Sequence, residues 1–148
     1  MRTLFLSLAA ASLLLVGCAD TSTAPTSTYY LYADIDGSRF DAESMQASVE
    51  NGQILIEGNG VNGTRIAFEL KDTEIDVFDL GADSYNKAYI DVNNGQRHFE
   101  TRFHHGEGRV VLTRRVPTEV MGFFSMQAIS DDGDTVRIER GNFRIRVQ

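Results

Sequence analysis

Apolar and polar residues alternate along most of the chain from residue 29 onward, and this alternation restricts the fold more than any other feature. The stretch NFRIRV (142–147), for example, places three apolar side chains on one face and two arginines on the other. Because successive side chains of a strand point to opposite faces, the pattern predicts antiparallel strands with one buried face. The most helix-like stretch, DAESMQASVE (41–50), also favours a strand.

Turn signals separate these segments at regular intervals. Asn-Gly and Asp-Gly pairs tolerate the positive backbone φ that tight hairpins require, and such pairs stand at 51–52, 62–63, 94–95 and 132–133. Short strands at this spacing predict an all-β fold. We expect a single antiparallel β-sandwich or flattened barrel of about eight to ten strands, with little or no helix.

The first 17 residues have the layout of a secretory signal peptide. Arg2 precedes an apolar run at 4–16, which is too short to span a bilayer as a mature helix. The run ends in Leu-Val-Gly-Cys (15–18), which resembles the lipobox of bacterial lipoproteins. That resemblance implies cleavage before Cys18 and acylation of its thiol and new amine, which would anchor the protein in a membrane. The alternative is an ordinary signal peptide cleaved elsewhere, with Cys18 left as a free thiol.

Residues 18–28 are small and polar after the cysteine, and they predict a flexible tether between the lipid and a domain at 29–148. In the lipoproteins that the lipobox resembles, aspartate directly after the cysteine acts as an inner-membrane retention signal. Ala19 stands there in this chain, with Asp20 following. We therefore expect an outer-membrane or cell-surface location in a bacterial envelope.

The charge balance excludes one class of partner. Removal of residues 1–17 leaves 13 of the 14 basic residues and all 21 acidic ones, a formal charge of −8. Such a surface repels nucleic acid and anionic lipid, so the anchor has to hold the protein at the membrane. Cys18 is the one cysteine in the sequence, so no intrachain disulfide can form and the apolar core must stabilise the domain.

Several motifs resemble those of a family of small bacterial β-rich lipoproteins without an assigned function. They are Ala-Asp-Ile-Asp-Gly (33–37) with Phe40, Gly-x-Phe at 122–124, and Gly-Asn-Phe at 141–143. The resemblance implies a β-rich domain that begins with a hairpin and ends with two Gly-x-Phe strands. At 74–85 the chain departs from the family pattern, so the resemblance does not set the strand register of residues 71–90.

Histidines and acidic residues cluster in RHFETRFHHGEGR (97–109). On one strand His98 and His104 would share a face, but a separation of about 20 Å prevents them from binding one ion. His104, His105 and Glu107 are the better metal candidates, although a further ligand must come from elsewhere. A solvated strand face that ends in a turn is the favoured interpretation, so we expect neither a metal nor a cofactor.

A second acidic cluster lies in SDDGDT (130–135), where Asp131, Asp132 and Asp134 stand close together. The spacing lacks the ligand order and late glutamate of a calcium loop. The cluster therefore predicts a hairpin tip between a strand ending at Ile129 and one beginning at Thr135.

The first predicted strand supplies the candidate ligand-binding residues. Tyr30, Tyr32, Asp34 and Asp36 fall on one face, where aromatic rings and carboxylates could stack on and hydrogen-bond to a sugar. Tyrosines at a strand edge or rim would produce the same pattern.

No nucleophile elbow, phosphate-binding loop or activated cysteine is present in the sequence, so we do not expect an enzyme. We expect a non-catalytic module that binds a glycan, peptide or protein partner through loops or strand edges such as Arg144 and Arg146. The alternatives are a small-ligand carrier with an internal pocket, or an inhibitor of an external hydrolase that inserts a loop at 104–109. The Phe and Ile content is sufficient to fill the interior.

Overall fold

The computed structural model describes residues 29–71, 75–103 and 105–148. The predicted signal peptide, Cys18, the tether up to residue 28 and His104 lie outside these ranges. Within the described ranges, no helix has the length and apolar character needed to cross a membrane.

The described residues form ten strands and one short 3-10 turn at Val61–Gly63, which confirms the predicted all-β class. The strands are β1 Tyr30–Ile35, β2 Ser38–Glu50, β3 Gln53–Gly60, β4 Arg65–Leu70, β5 Val77–Gly81, β6 Lys87–Val92, β7 Arg97–Glu100, β8 Glu107–Val116, β9 Glu119–Ile129 and β10 Thr135–Arg146. The stretch at 41–50 is a strand, as predicted, and it forms most of β2.

Eight of these strands close into an antiparallel barrel in the order β10-β1-β2-β3-β4-β6-β7-β9, with β10 also paired to β9. A single residue pair, Glu100 with Ile129, joins β7 to the end of β9. The rest of that edge of β9 pairs with β8, and β8 pairs with β5, so these two strands extend the sheet beyond the barrel.

The closing strand is not an exposed edge, so the expectation that Arg144 would offer one is wrong. Arg144 pairs with Tyr30 of β1 on one side and with Met121 of β9 on the other. Closure of the barrel occupies both hydrogen-bonding edges of β10 at this point, which the alternation pattern alone does not reveal.

The hairpin turns use the residues that their backbone geometry requires. The β1–β2 turn has φ of 47° at Asp36 and 80° at Gly37, and the β2–β3 turn has 51° at Asn51 and 75° at Gly52. Two consecutive positive φ values produce the turn whose twist matches the flanking strands.

Aromatic and aliphatic side chains fill the barrel interior. The Phe68 ring lies 4.7 Å from the Phe124 ring in an edge-on arrangement and 6.4 Å from the Phe143 ring, centroid to centroid. Ile54, Ile66 and other inward residues of every barrel strand surround the three rings with almost no exposure. The strands therefore present their alternate, polar positions on the outside of the barrel.

Candidate functional site

A groove of about 750 Å³ crosses the outside of five adjacent strands, β2, β1, β10, β9 and β8. We call it the outer groove, and its principal lining side chains are Tyr32, Asp34, Arg39, Arg109, Phe123 and Arg140. A second depression of about 690 Å³ shares Arg109 and Ser125 with the groove and continues over β5.

A bulge in β10 places Arg140 in the groove. Ile138 pairs with Met126 of β9, whereas the next pair is Gly141 with Phe124, so β10 carries one residue more than its neighbour there. Arg140 has a φ of 51°, in the left-handed region that favours glycine. A non-glycine residue held in this conformation costs on the order of 1 kcal/mol, and such strain concentrates at functional sites.

Each groove arginine has a carboxylate partner of its own. Arg140 forms an ion pair with Asp34, whose side chain is mostly buried between the strands. The guanidinium of Arg39 donates to Asp41 at 2.8 Å and lies 4.0 Å from the centroid of the Tyr32 ring. The hydrogen bonds from Arg39 lower the pKa of the Asp41 carboxyl, so that pair stays charged near neutral pH.

The far side of the groove combines an apolar ring with polar groups. Phe123 points outward from β9 and is 48% exposed, although its neighbour Phe124 is buried in the core. Arg109 on β8 donates from Nε to Asp79 at 3.0 Å. The outer groove therefore presents guanidinium groups on both sides of an exposed aromatic ring.

Two of the four residues predicted for ligand binding line this groove, namely Tyr32 and Asp34. Tyr30 lies beside it, with its ring 5.5 Å from that of Tyr32. Asp36 has a structural role in the β1–β2 turn, where its carboxylate accepts a hydrogen bond of 2.8 Å from the backbone N–H of Arg137.

Sequence reasoning did not identify four residues of the groove, namely Arg39, Arg109, Phe123 and Arg140. They come from separate strands and meet only after the barrel closes. For Arg140 a signal was present in the sequence. The inward residues Ile138 and Phe143 are five positions apart, and an odd spacing cannot keep both on one face of a regular strand. One extra residue must lie between them, which predicts the bulge.

A family model described as a domain of unknown function, DUF6252, matches residues 27–145 of the chain. The chain belongs to the DUF6252 family. Searches of curated proteins and of solved structures found no match. A family without an assigned function is consistent with the resemblance that the strand motifs indicated. The function of the outer groove is therefore inferred from its geometry.

Elsewhere on this DUF6252 domain, a second polar cluster covers β6 and β7. His98 Nδ1 lies 2.6 Å from Asp91 Oδ1, and Nε2 lies 3.0 Å from Glu100 Oε1. Burial lowers the pKa of His98, but the hydrogen bonds to the two carboxylates outweigh it and raise the pKa overall. Burial, reinforced by Glu69, raises the pKa of the neighbouring Tyr89 to about 12.

The geometry of this cluster suits an ion pair and not a metal site. The two carboxylates contact opposite nitrogens of the ring, so they cannot converge with the imidazole on one ion. In the portion of the DUF6252 domain that the structure describes, no three His, Cys, Asp or Glu side chains are placed to hold a metal.

Of the remaining metal candidates, the structure describes His105 and Glu107. His105 is exposed in the turn before β8, and Glu107 is the first residue of β8, where it pairs with both Gln127 and Gly81. The expectation of an inserting loop at 104–109 is therefore wrong for residues 107–109, because β5 and β9 hold them in the sheet. The acidic cluster at 130–135 is a hairpin tip between β9 and β10, as predicted.

Proposed function

We propose that this DUF6252 protein is a non-catalytic binding module of the bacterial envelope, anchored in the outer membrane or at the cell surface by acylated Cys18. Its ligand is a segment of a glycan, or of a peptide or protein partner, that carries a carboxylate next to an apolar surface. The single observation that carries this proposal is the strained bulge that holds Arg140 in the outer groove, opposite exposed Phe123.

The charges of the groove favour an anionic ligand. Arg39, Arg109 and Arg140 come from three different strands, and their side chains remain half or more exposed. A guanidinium presents five N–H donors, so it can bind a ligand carboxylate in bidentate fashion while it keeps a contact to its own aspartate. The three arginines and their three aspartates carry no net charge together, so the attraction for a ligand carboxylate comes from the exposed guanidinium N–H donors.

The aromatic rings of the groove offer the ligand apolar contacts in addition to the charged groups. Phe123 exposes nearly half of its surface in the groove, and Tyr32 is held face-on to Arg39. A flat ring of this kind stacks on the apolar face of a sugar or on an apolar side chain. Asn142 lies between the two rings, because it pairs with Tyr32 on one side and with Phe123 on the other. Asn142 and the groove residue Ser125 can exchange hydrogen bonds with hydroxyl or amide groups of the ligand.

The packed interior supports this proposal over a small-ligand carrier. Phe68, Phe124 and Phe143 contact one another inside the barrel, in the space that an internal ligand would require. No catalytic step is part of the proposal, because the groove pairs each of its arginines with an aspartate and presents no activated nucleophile.

The test is a binding screen on the full chain carrying Cys18→Ala, which removes the acylation site. Thermal midpoints are measured with oligosaccharides containing uronic acid, neutral oligosaccharides of equal length, acidic and basic peptides, and fatty acids. A ligand at one hundred times its Kd adds about 2.7 kcal/mol, which raises the midpoint by several degrees for a domain of this size.

We expect a shift with acidic saccharides or acidic peptides that is lost in Phe123→Ala and in Arg140→Gln. Arg137→Gln, which removes an equal charge outside the groove, retains the shift. A shift with fatty acids alone would favour the carrier, and a shift that survives both groove substitutions would place the ligand elsewhere.

The anchor has a separate test. Wild-type protein is expected in the membrane fraction with an acyl-bearing Cys18 peptide in its mass spectrum, and Cys18→Ala is expected in the soluble fraction. Membrane association of the variant equal to that of wild type would contradict lipid anchoring.

A further inference from the structure

One row of side chains crosses the outer groove from strand to strand. Tyr32 of β1 pairs with Asn142 of β10, and Asn142 pairs with Phe123 of β9. Phe123 in turn pairs with Val111 of β8, and Val111 pairs with Val77 of β5. Because neighbouring strands lie about 4.8 Å apart, these five positions form a line about 19 Å long, measured along the sheet. We call it the aromatic row.

A second row lies beside the first, two residues away on each strand. Arg39 of β2 pairs with Asp34 of β1, and Ser125 of β9 pairs with Arg109 of β8. Arg140 in the β10 bulge completes this row between them, where it forms its ion pair with Asp34. Two residues along a strand span about 6.8 Å, so one ligand can contact both rows. We call the second row the arginine row.

Guanidinium groups and aromatic rings alternate from strand to strand across these rows. In the order β2, β1, β10, β9 and β8, the strands contribute Arg39, Tyr32, Arg140, Phe123 and Arg109. Arginines therefore recur on every second strand, at intervals of about 10 Å, with a ring on the strand between them. A ligand that matches this order carries an anionic group at every second position and an uncharged unit in between.

The spacing of the strands distinguishes a polysaccharide from a peptide. One pyranose residue of an extended polysaccharide is about as long as the strand spacing of about 4.8 Å, so successive sugars reach successive strands. An extended peptide presents side chains to one face every 6.8 Å or so, and a polyproline II peptide about every 9.3 Å. Neither places a group at each strand of the groove. Strands β1, β10 and β9 also pair on both sides here, which leaves no backbone edge for a peptide.

The hydrogen-bonding capacity of the arginines, and not a net charge, attracts the ligand. Asp41, Asp34 and Asp79 balance the charges of the three arginines. Among the partners that the described residues supply, Arg109 donates only from Nε, to Asp79, and Arg140 remains 80% exposed. Each of these two guanidinium groups therefore keeps N–H donors for a ligand carboxylate. At physiological salt the Debye length of about 8 Å screens acidic residues elsewhere on the protein.

We infer that the outer groove binds an internal stretch of a linear acidic polysaccharide in which uronic acid alternates with an uncharged sugar. This inference rests on the proposed binding function and specifies its ligand. The uronate carboxylates contact Arg39, Arg140 and Arg109. One uncharged sugar stacks on Phe123, and the other lies beside the partly exposed Tyr32, whose ring also contacts Arg39. The chain can continue past Arg109 into the second depression over β5.

The experiment measures the affinity of four probes for the full chain carrying Cys18→Ala, by isothermal titration calorimetry at 0.15 M salt. Hyaluronan oligosaccharides of two to ten residues alternate glucuronate with N-acetylglucosamine, and the same oligosaccharides with reduced carboxyl groups are the uncharged control. Oligogalacturonides of equal length carry a carboxylate on every residue. Peptides of Glu-Pro-Pro repeats present a carboxylate once in each polyproline II turn.

We expect the affinity for hyaluronan to rise with length up to about five residues, one for each strand from β2 to β8, and to change little beyond. At six residues it should exceed the affinity for the other three probes by roughly tenfold or more, since a hydrogen bond to a charged group is worth at least that factor. The oligogalacturonide binds less tightly because it places a carboxylate against each ring.

Three variants test the assignment of positions within the groove. Arg140→Gln removes the central guanidinium and weakens binding of the six-residue hyaluronan roughly tenfold. Arg109→Gln removes an end position, so the affinity should stop rising at about four residues, and Arg109 is exposed enough that this variant is expected to fold. Arg97→Gln breaks an exposed arginine–aspartate pair outside the groove and leaves the length dependence unchanged. Thermal midpoints show whether each variant is folded.

This inference and the proposed function fail in different ways. If affinity is already complete with a disaccharide, or if reduced hyaluronan or oligogalacturonide binds as tightly as hyaluronan, the alternating polysaccharide is overturned and the binding module stands. Tighter binding of the Glu-Pro-Pro peptide also overturns the polysaccharide and assigns the groove to a peptide. Absence of binding by every probe, here and in the thermal screen, contradicts both proposals.

Discussion

The ring of Phe124 lies directly on the backbone of Gly141 in the neighbouring strand, so close that a methyl group at position 141 would be 2.5 Å from Cε2 and Cζ of the ring. The relationship is reciprocal, because Phe143 lies on Gly122, where a methyl group would be 2.7 Å from its Cζ. These pairs are the two Gly-x-Phe motifs of the sequence, interlocked across β9 and β10.

Gly141→Ala is expected to destabilise the domain by about 1–3 kcal/mol, because the added methyl must displace a packed aromatic ring. Chemical denaturation measures the change. Ser125→Ala, an exposed position of the adjoining strand, serves as the control and should change the free energy of unfolding by less than about 0.5 kcal/mol. Equal stability of Gly141→Ala and wild type would show that the ring can move.

The strain at Arg140 predicts a difference between two substitutions that both remove the ion pair with Asp34. Arg140→Gly should be more stable than Arg140→Ala by about 1 kcal/mol, since glycine adopts a φ of 51° without steric cost. Both variants should lose ligand binding equally. Urea denaturation of the pair provides the measurement, and a more stable alanine variant would contradict a strained backbone.

The His98 cluster predicts a dependence of stability on pH. The folded pKa of His98 is raised by Asp91 and Glu100, so its contribution is full below the unfolded pKa of about 6.5 and is lost as pH rises through the folded pKa. Wild type should therefore be more stable than His98→Gln, and the difference in their free energies of unfolding should be larger at pH 5.5 than at pH 9. The imidazole is 43% exposed, which limits the difference to about 1 kcal/mol or less.

Denaturant titrations of both proteins at the two pH values test this. His105→Gln is the control for loss of an imidazole, because His105 is exposed and outside the cluster. A gap between wild type and His98→Gln that widens toward pH 9 would show that the neutral imidazole is the stabilising form.

Glu119 forms ion pairs with both Arg114 and Arg144, and its side chain is only 8% exposed between them. Glu119→Gln should cost about 1–3 kcal/mol in free energy of unfolding, because it leaves two guanidinium groups without their shared carboxylate. Glu139→Gln breaks an exposed, 4.0 Å pair with Arg137 and should have almost no effect. Thermal denaturation of the two variants distinguishes them, and equal midpoints would contradict the prediction.

The local features of the sequence determined the fold class of this protein. Alternation identified the buried faces of Ile54 and Ile56 in β3 and of Phe143 and Ile145 in β10, because a strand repeats every two residues whatever its partner. The turn at 51–52 followed from an Asn-Gly pair, whose residues tolerate positive φ. The sequence of residues 41–50 by itself also favoured the strand that they form in β2.

Only the tertiary structure decided where the functional surfaces lie. Arg39, Arg109 and Arg140 are far apart in the chain, and the order in which the strands pair, together with one bulge, brings them into a single groove. Barrel closure likewise removed the edge expected at Arg144, because β1 and β9 pair with β10 on its two sides. Strand order and closure depend on the packing of the whole core, and no local pattern of side chains encodes them.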